Sequence, residues 1–427
     1  MNFIEELRRR GMLHDMMPGL EELLQEKKCV GYIGFDPTAS SMTIGNFTQI
    51  QILKLFQLAG HTPIVLMGGA TGRIGDPSGK DKERELKSFD ELDTNLAFQK
   101  LQAAKFLDFE MGDNKAVFVN NHDFYKEMNV LDFLRDVGKT ITVSYMMSKD
   151  SVQRRLETGL SFTEFSYQLL QGYDFQCLYE KYGCLVQMGG SDQWGNITAG
   201  TEFIRRNLGG KAYALTTPLL TKSDGTKFGK SEQGNIWLDP KMTSPYKFYQ
   251  FWINMDDADL PKFLRFFSLK SVDDIEKLEA EYAGNPRELK RMLAEELTVR
   301  VHSQADFESV MKVSDILFGK ADATTLKSMS IEQLDTIAEE IPRAEIPFAD
   351  VEAGLNICEF LSDKAKILAS RGEVRRAIQN NAISINKVKI TDANVVINPR
   401  DLLHGKYLMV ENGKKNKHLL VVHWFMG

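Results

Sequence analysis

Short apolar runs closed by glycine alternate with amphipathic stretches through the first half of the chain. Val30-Gly31-Tyr32-Ile33-Gly34-Phe35, stopped by Asp36-Pro37, has the length and boundaries of a buried strand. Phe47, Ile50, Leu53, Leu55 and Leu58 then predict a helix that Gly60 closes, and Pro63-Ile64-Val65-Leu66-Met67 predicts a second buried strand. Before these, residues 1–28 read as two short amphipathic helices broken at Pro18-Gly19, with Leu20, Leu23 and Leu24 at helical spacing. Strand, helix and strand in this order form a β-α-β unit, so the fold class is α/β with a doubly wound parallel sheet.

Three glycine-rich turns follow predicted strands. The first runs through Thr38-Ala39-Ser40-Ser41 to Gly45-Asn46, the second is Gly68-Gly69-Ala70-Thr71-Gly72, and the third is Gly189-Gly190-Ser191-Asp192-Gln193-Trp194 after Cys184-Leu185-Val186-Gln187-Met188. Parallel strands bring such turns to one carboxyl edge, where α/β folds bind ligands; taken alone, the glycine cluster from 68 to 79 reads first as a pair of tight turns. The two common nucleotide motifs fail. Gly79-Lys80 is preceded by Ile74 where a phosphate loop needs glycine and followed by Asp81, and Gly69, Gly72 and Gly75 lack dinucleotide spacing.

The helical stretch from Phe162 to Asp174 puts Tyr167, Gln171 and Asp174 on one face, at i, i+4 and i+7. That face suits either a solvated surface or a lined pocket, and Phe165, Leu169 and Phe175 around it favour the pocket. Thr226-Lys227-Phe228-Gly229-Lys230-Ser231 offers two ammonium groups and a hydroxyl around a glycine, suited to a triphosphate or simply to water.

Composition narrows the class. With 427 residues, 43% of them hydrophobic, the chain can bury more than one core, and a formal charge of −6 argues against indiscriminate nucleic-acid binding. No apolar run approaches a membrane span, and the acidic start Asn2-Phe3-Ile4-Glu5-Glu6 does not read as a signal peptide, so the expectation is a cytoplasmic protein with no membrane partner. Cys29, Cys177, Cys184 and Cys358 form no C-x-x-C pair, and no protein-held metal is expected.

Together these stretches resemble the class I aminoacyl-tRNA synthetases. Thr43-Ile44-Gly45-Asn46 stands at the His-Ile-Gly-His signature and Lys227-Phe228-Gly229-Lys230-Ser231 at the Lys-Met-Ser-Lys-Ser signature. Within the class the tyrosyl branch is matched by Gly34-Phe35-Asp36-Pro37-Thr38, Gly75-Asp76-Pro77-Ser78-Gly79-Lys80, Tyr167-x-x-x-Gln171-x-x-Asp174 and Gly190-Ser191-Asp192-Gln193-Trp194-Gly195-Asn196. The resemblance implies ATP-dependent joining of L-tyrosine to AMP, release of diphosphate, and transfer of tyrosine to the terminal adenosine of tRNA(Tyr). A carboxylate nucleophile needs no general base, so catalysis rests on positioning and on cations at the leaving group.

By the same resemblance Lys80, Arg84, Lys227, Lys230, Ser231 and Thr43 serve the triphosphate, while Asp36, Thr38, Gly45, Asn46, Asp192 and Lys230 bind ATP. Tyr32 and Asp174 take the phenol hydroxyl of tyrosine, Tyr167, Gln171 and Asp76 its ammonium, with Gln187 in support and Gln193 near the reacting carboxylate. Mg²⁺ is expected on the ATP phosphates. Thr43 and Asn46 replace the two signature histidines, which removes an imidazolium from the triphosphate end.

The resemblance also divides the chain into a catalytic domain at 1–244, a helical anticodon-side domain at 245–319 and a small α+β RNA-binding module at 353–427, and Pro342 and Pro347, in a segment poor in long periodic runs, mark a linker at 320–352. In that module Lys364, Lys366, Arg371, Arg375, Arg376 and Lys387 are the expected tRNA-backbone contacts, with a hairpin turning at Asn386-Lys387. Bacterial relatives are homodimers, and the apolar stretch from Val130 to Met147 is the candidate interface.

Overall fold

The buried run beginning at Val30 is the central strand of a six-stranded sheet. In the computed structural model, which describes residues 1–78, 86–156, 159–231, 234–413 and 416–424, the first strands are β1 (Asp15–Met16), β2 (Val30–Phe35), β3 (Thr62–Met67), β4 (Val117–Asn120), β5 (Cys184–Gly190) and β6 (Tyr213–Thr217). Their order is β1-β6-β5-β2-β3-β4, parallel throughout except for the short edge strand β1. The chain moves from β2 through β3 to β4 on one side, then returns to place β5 on the other side of β2. A crevice at the carboxyl ends of β2 and β5 is the consequence, because neighbouring connections leave in opposite directions.

Continuous apolar side chains build this sheet because both faces are covered. Ile64, Val65, Leu66 and Met67 are all buried on β3, as a parallel strand between helical layers requires. The Phe162–Tyr182 and Trp194–Leu208 helices pack closely on one another; a Cβ at Gly172 would come within 2.6 Å of the Phe203 ring, so only glycine admits that approach.

The chain divides into two compact units, one of residues 1–243 with 248–301 and one of 244–247 with 302–427. The expected boundaries at 244 and 319 therefore shift: helices Leu260–Phe267, Val272–Glu281 and Pro286–Val301 group with the parallel sheet, and the Gln304–Phe318 helix groups with the second unit. Ser271 caps the Val272–Glu281 helix by accepting from Asp274 N, as its spacing predicts.

Residues 320–352 are not a linker. They hold helices Ala323–Lys327, Ile331–Glu340 and Phe348–Glu352, and a strand at Arg343–Pro347. Leu334, Ile337 and Ala338 recur at helical spacing and are buried, and Ser330 and Gln333 close a capping box, so the two prolines bound elements rather than dissolve them. Numbering the remaining strands in order, β7 (Lys230–Ser231) pairs with β8 (Gly234–Asn235) in the first unit, and β9 (Arg343–Pro347), β10 (Leu355–Asn356), β11 (Ile383–Ile385), β12 (Val388–Lys389), β13 (Val396–Ile397), β14 (Tyr407–Asn412) and β15 (Asn416–His423) lie in the second. The five-stranded sheet runs β12-β11-β14-β15-β9, and the β11–β12 turn has Asn386 and Lys387 at φ of 47° and 68°.

Candidate active site

At the crevice between β2 and β5 lies a cavity of about 610 Å³. Register sets Tyr32 beside Gln187, so two polar side chains from adjacent strands stand on one wall. Tyr32 is 1% exposed, and neither its hydroxyl nor Gln187 Oε1 has a hydrogen-bond partner among the described residues. A buried hydroxyl left so costs on the order of 1–3 kcal/mol, which a polar ligand can recover.

Asp174, on the Phe162–Tyr182 helix, lines the same cavity. Asn121 Nδ2 donates to its Oδ2 at 2.8 Å and the Tyr125 hydroxyl lies 2.6 Å from its Oδ1. Burial pushes the Asp174 carboxyl up to about 7, against these two hydrogen bonds, and the nearby charge of Asp36 adds to the rise. Burial likewise drives the Tyr32 phenol well above its ordinary value, with the charge of Asp174 second.

A second carboxylate links the elements. Asp36, just past β2, accepts from Thr71 Oγ1 at 2.6 Å and from the Tyr167 hydroxyl at 2.9 Å. Asp76 accepts from Ser78 N and from Gln193 Nε2, each at 2.8 Å, while Asn196 Nδ2 reaches Ser78 Oγ at 3.1 Å. Gln171, Thr38 and Asp192 also line the cavity. Burial raises the Asp192 carboxyl, the charge of Asp76 adds to this, and Lys227 opposes both.

The turn at Thr43 is a helix cap. Thr43 Oγ1 accepts from Asn46 N at 3.3 Å and donates to Asn46 Oδ1 at 2.9 Å, while Asn46 Oδ1 also accepts from Thr43 N. The one hydroxyl proton of Thr43 is thereby used inside the turn, so the structure does not present it as a donor to phosphate. Asn46 keeps its amide NH₂, without a partner among the described residues, on the cavity wall beside Gly45.

The Lys227 loop reaches this turn through the backbone. Ile236 N donates to Gly229 O at 3.0 Å, and Ile44 N donates to Ile236 O at 2.9 Å. Gly229 has φ of 85°, and a Cβ there would come within 2.7 Å of Ile44, so the position admits only glycine without distortion. Lys227 is exposed and lines the cavity mouth. Lys80 and Arg84 lie outside the described residues, as do the side chains of Lys230 and Ser231.

Asn121 and Tyr125 are not among the residues read from sequence, and Thr71 enters there only as part of the second glycine-rich turn. Asn120-Asn121 directly follows the apolar run Ala116-Val117-Phe118-Val119, and that strand-to-polar step was the available signal.

The basic residues of the second unit separate into two kinds. Lys387 Nζ donates to Ile316 O at 3.0 Å and Glu411 Oε1 at 2.9 Å, with its side chain 8% exposed; it caps the carboxyl end of the Gln304–Phe318 helix and does not offer its charge to a polyanion. Lys364 pairs with Asp350 at 2.6 Å and Arg371 with Asp363 at 2.9 Å. Lys366, Arg375 and Arg376 are exposed and have no ion-pair partner among the described residues.

Residues 24–319 match the family model of class I tRNA synthetases (W and Y), and residues 333–420 match that of the tyrosine–tRNA ligase SYY-like C-terminal domain. The tyrosine–tRNA ligase of Cytophaga hutchinsonii is 54% identical over 423 residues, covering 98% of this chain and 99% of that one. That of Bacteroides fragilis is 53% identical over 428 residues, covering 99% and 100%. Among solved structures, a C-terminally truncated Aspergillus nidulans mitochondrial tyrosyl-tRNA synthetase superposes with a TM-score of 0.66 at 32% identity, over 74% of this chain and 94% of that one.

Proposed function

The chain belongs to the class I tRNA synthetases of the tryptophan and tyrosine group, with tyrosine–tRNA ligases as its full-length relatives, and we propose how its residues divide that work. The enzyme is a tyrosine–tRNA ligase that consumes ATP. The observation that carries the division is the buried, unpartnered Tyr32 hydroxyl on the cavity that Asp174 also lines.

Tyrosine lies with its phenol between Tyr32 and Asp174, donating its O–H to the carboxylate and accepting from Tyr32. A site built around a hydroxyl rejects the analogue without it far more strongly than an apolar pocket rejects a methylene, because its own polar groups are left unpaired. The Asp36, Asp76, Tyr167, Gln171 and Gln187 side chains around the other end suit the ammonium; Asp36 moves here from the ATP set because Tyr167 donates to it. Gln193, held by Asp76, stands where the amino-acid carboxylate meets the α-phosphate.

ATP enters over Thr38, Gly45, Asn46 and Asp192, with Mg²⁺ on its phosphates. Asn46 Nδ2 and the amides at the start of the Ile44–Leu58 helix supply donors to anionic oxygen, Thr43 acting by holding that turn. Carboxylate oxygen attacks phosphorus, the bond to pyrophosphate breaks, and negative charge grows on the leaving group. Lys227, with Lys230, Ser231, Lys80 and Arg84 by resemblance, offsets that charge. The terminal adenosine hydroxyl of tRNA(Tyr) then displaces AMP.

Lys366, Arg375 and Arg376 meet the tRNA backbone, and Val130, Leu131, Leu134 and Val143, all exposed apolar side chains, form a homodimer face whose test is a measured mass in solution. No helix among the described residues is long and apolar enough to cross a membrane. Tyrosine-dependent exchange of labelled pyrophosphate into ATP, followed by charging of tRNA(Tyr), tests the reading; exchange that ignores tyrosine would refute it.

A further inference from the structure

We infer that Tyr125 is a specificity-determining positioning residue, its hydroxyl fixing Asp174 as the acceptor for the phenol of bound tyrosine. The inference rests on the placement of tyrosine proposed above. Tyr125 closes the short His122–Tyr125 helix that follows β4, at the same sheet edge as the cavity. Its ring is held by Tyr173 at 5.8 Å and Phe133 at 6.4 Å between centroids, so the hydroxyl is carried on a packed support.

A carboxylate has about four lone-pair positions. Asn121 takes one on Oδ2 and Tyr125 one on Oδ1, which stops the group from turning and leaves one fixed position on each oxygen to accept the substrate O–H. Without Tyr125, one oxygen of a buried carboxylate would lose its protein donor.

The Tyr125 oxygen also lies 2.8 Å from Leu170 O, one helical turn before Asp174. It has one proton and two acceptors. When Asp174 is ionised the proton goes to Oδ1. When Asp174 is protonated, its O–H donates to the Tyr125 oxygen and the Tyr125 proton turns to Leu170 O. Both states are satisfied, yet only the first keeps Asp174 a pure acceptor for tyrosine.

The groups that bear on this carboxyl are Tyr32 on β2, Asp36 after β2, Asn121 and Tyr125 after β4, and Tyr167 and Cys177 on its own helix. Burial, with the charge of Asp36 behind it, raises the carboxyl, and the Tyr125 and Asn121 donors hold the rise to about 7, so removing the Tyr125 donor moves its titration to higher pH.

The test is pyrophosphate exchange with tyrosine and with phenylalanine, from pH 6 to 9, for the full chain and for Tyr125→Phe. The expected result is a loss of about tenfold or more in the tyrosine-to-phenylalanine ratio of kcat/KM. The acid limb of kcat/KM for tyrosine, which reports the free enzyme, moves to higher pH while phenylalanine shows no such limb. Tyr173→Phe, on a neighbouring ring, leaves the ratio at the parent value. Tyr125→Leu repeats the comparison if the phenylalanine variant does not fold, as judged by thermal melting. A folded variant with the parent's ratio and acid limb overturns the inference. A parent chain that exchanges without tyrosine overturns the proposed function instead.

Discussion

Tyr32 on β2 is registered against Gln187 on β5, and each ends in a buried oxygen that takes no hydrogen bond from the described residues. Interiors rarely leave such groups unpaired, so a matched pair at a topological switch point marks a place prepared for a polar ligand. What surrounds the pair decides which ligand.

Asp174 is held at a cost to the fold. Its carboxyl sits near 7 against an ordinary 3.8, so the folded chain binds that proton more tightly than the unfolded chain. A raised value contributes stability that is complete below the unfolded value and lost as pH climbs to the folded one. Asp174→Asn should therefore melt higher than the parent at pH 8, by more than it does at pH 5, while losing preference for tyrosine over phenylalanine. Equal differences at the two pH values in differential scanning calorimetry would show that Asp174 is not destabilising when charged.

Thr43 acts on the helix start. Thr43→Ala should lower stability by about 1 kcal/mol, typical of a lost cap. Its KM for ATP should stay within about threefold of the parent's, since no bond to phosphate is predicted to break. Asn46→Ala removes the side-chain half of the capping box and the free amide together while keeping the backbone bond to Thr43 Oγ1, so its KM for ATP should rise further. A thousandfold fall in kcat for Thr43→Ala would assign Thr43 to the chemistry.

Arg155 and Glu164 form a buried ion pair, 2.8 Å apart and each under 5% exposed, at the first turn of the helix that carries Tyr167, Gln171 and Asp174. Glu164→Gln should cost about 3–5 kcal/mol because it strands the guanidinium. Replacing both residues with leucine should cost less than the single change. Chemical denaturation of the three proteins checks the order, and additive losses would mean that the two side chains do not interact.

Arg375 and Arg376 should govern tRNA and not tyrosine activation. The double alanine variant is expected to raise KM for tRNA(Tyr) and flatten its salt dependence, with pyrophosphate exchange unchanged. Lys387→Ala should instead lower the melting temperature of the second unit, since Ile316 O and Glu411 lose a buried partner. A Lys387 variant that melts like the parent yet binds tRNA poorly would return that lysine to the RNA face.

Periodicity made much of this site legible. Tyr167, Gln171 and Asp174 share a face because a helix repeats every 3.6 residues, and Tyr32 sits in a strand whose apolar run is plain. Asn121 and Tyr125 were hidden because their contact with Asp174 spans 53 and 49 residues and depends on β4 lying beside β3, a long-range pairing no local pattern states. The Ile331–Glu340 helix was missed when Pro342 and Pro347 were read as a linker, although they stand at a strand's borders. Lys387 was misjudged for another reason: charge along a sequence does not tell which way a side chain turns, and a left-handed turn sends this one inward.

The most direct measurement is kcat/KM in pyrophosphate exchange for tyrosine and for phenylalanine, in the parent and in Tyr32→Phe. Exchange is expected to require tyrosine, the parent to reject phenylalanine strongly, and the ratio to fall by about tenfold or more when the Tyr32 hydroxyl is removed. Exchange supported equally by both amino acids, or a ratio untouched in Tyr32→Phe, would contradict that expectation.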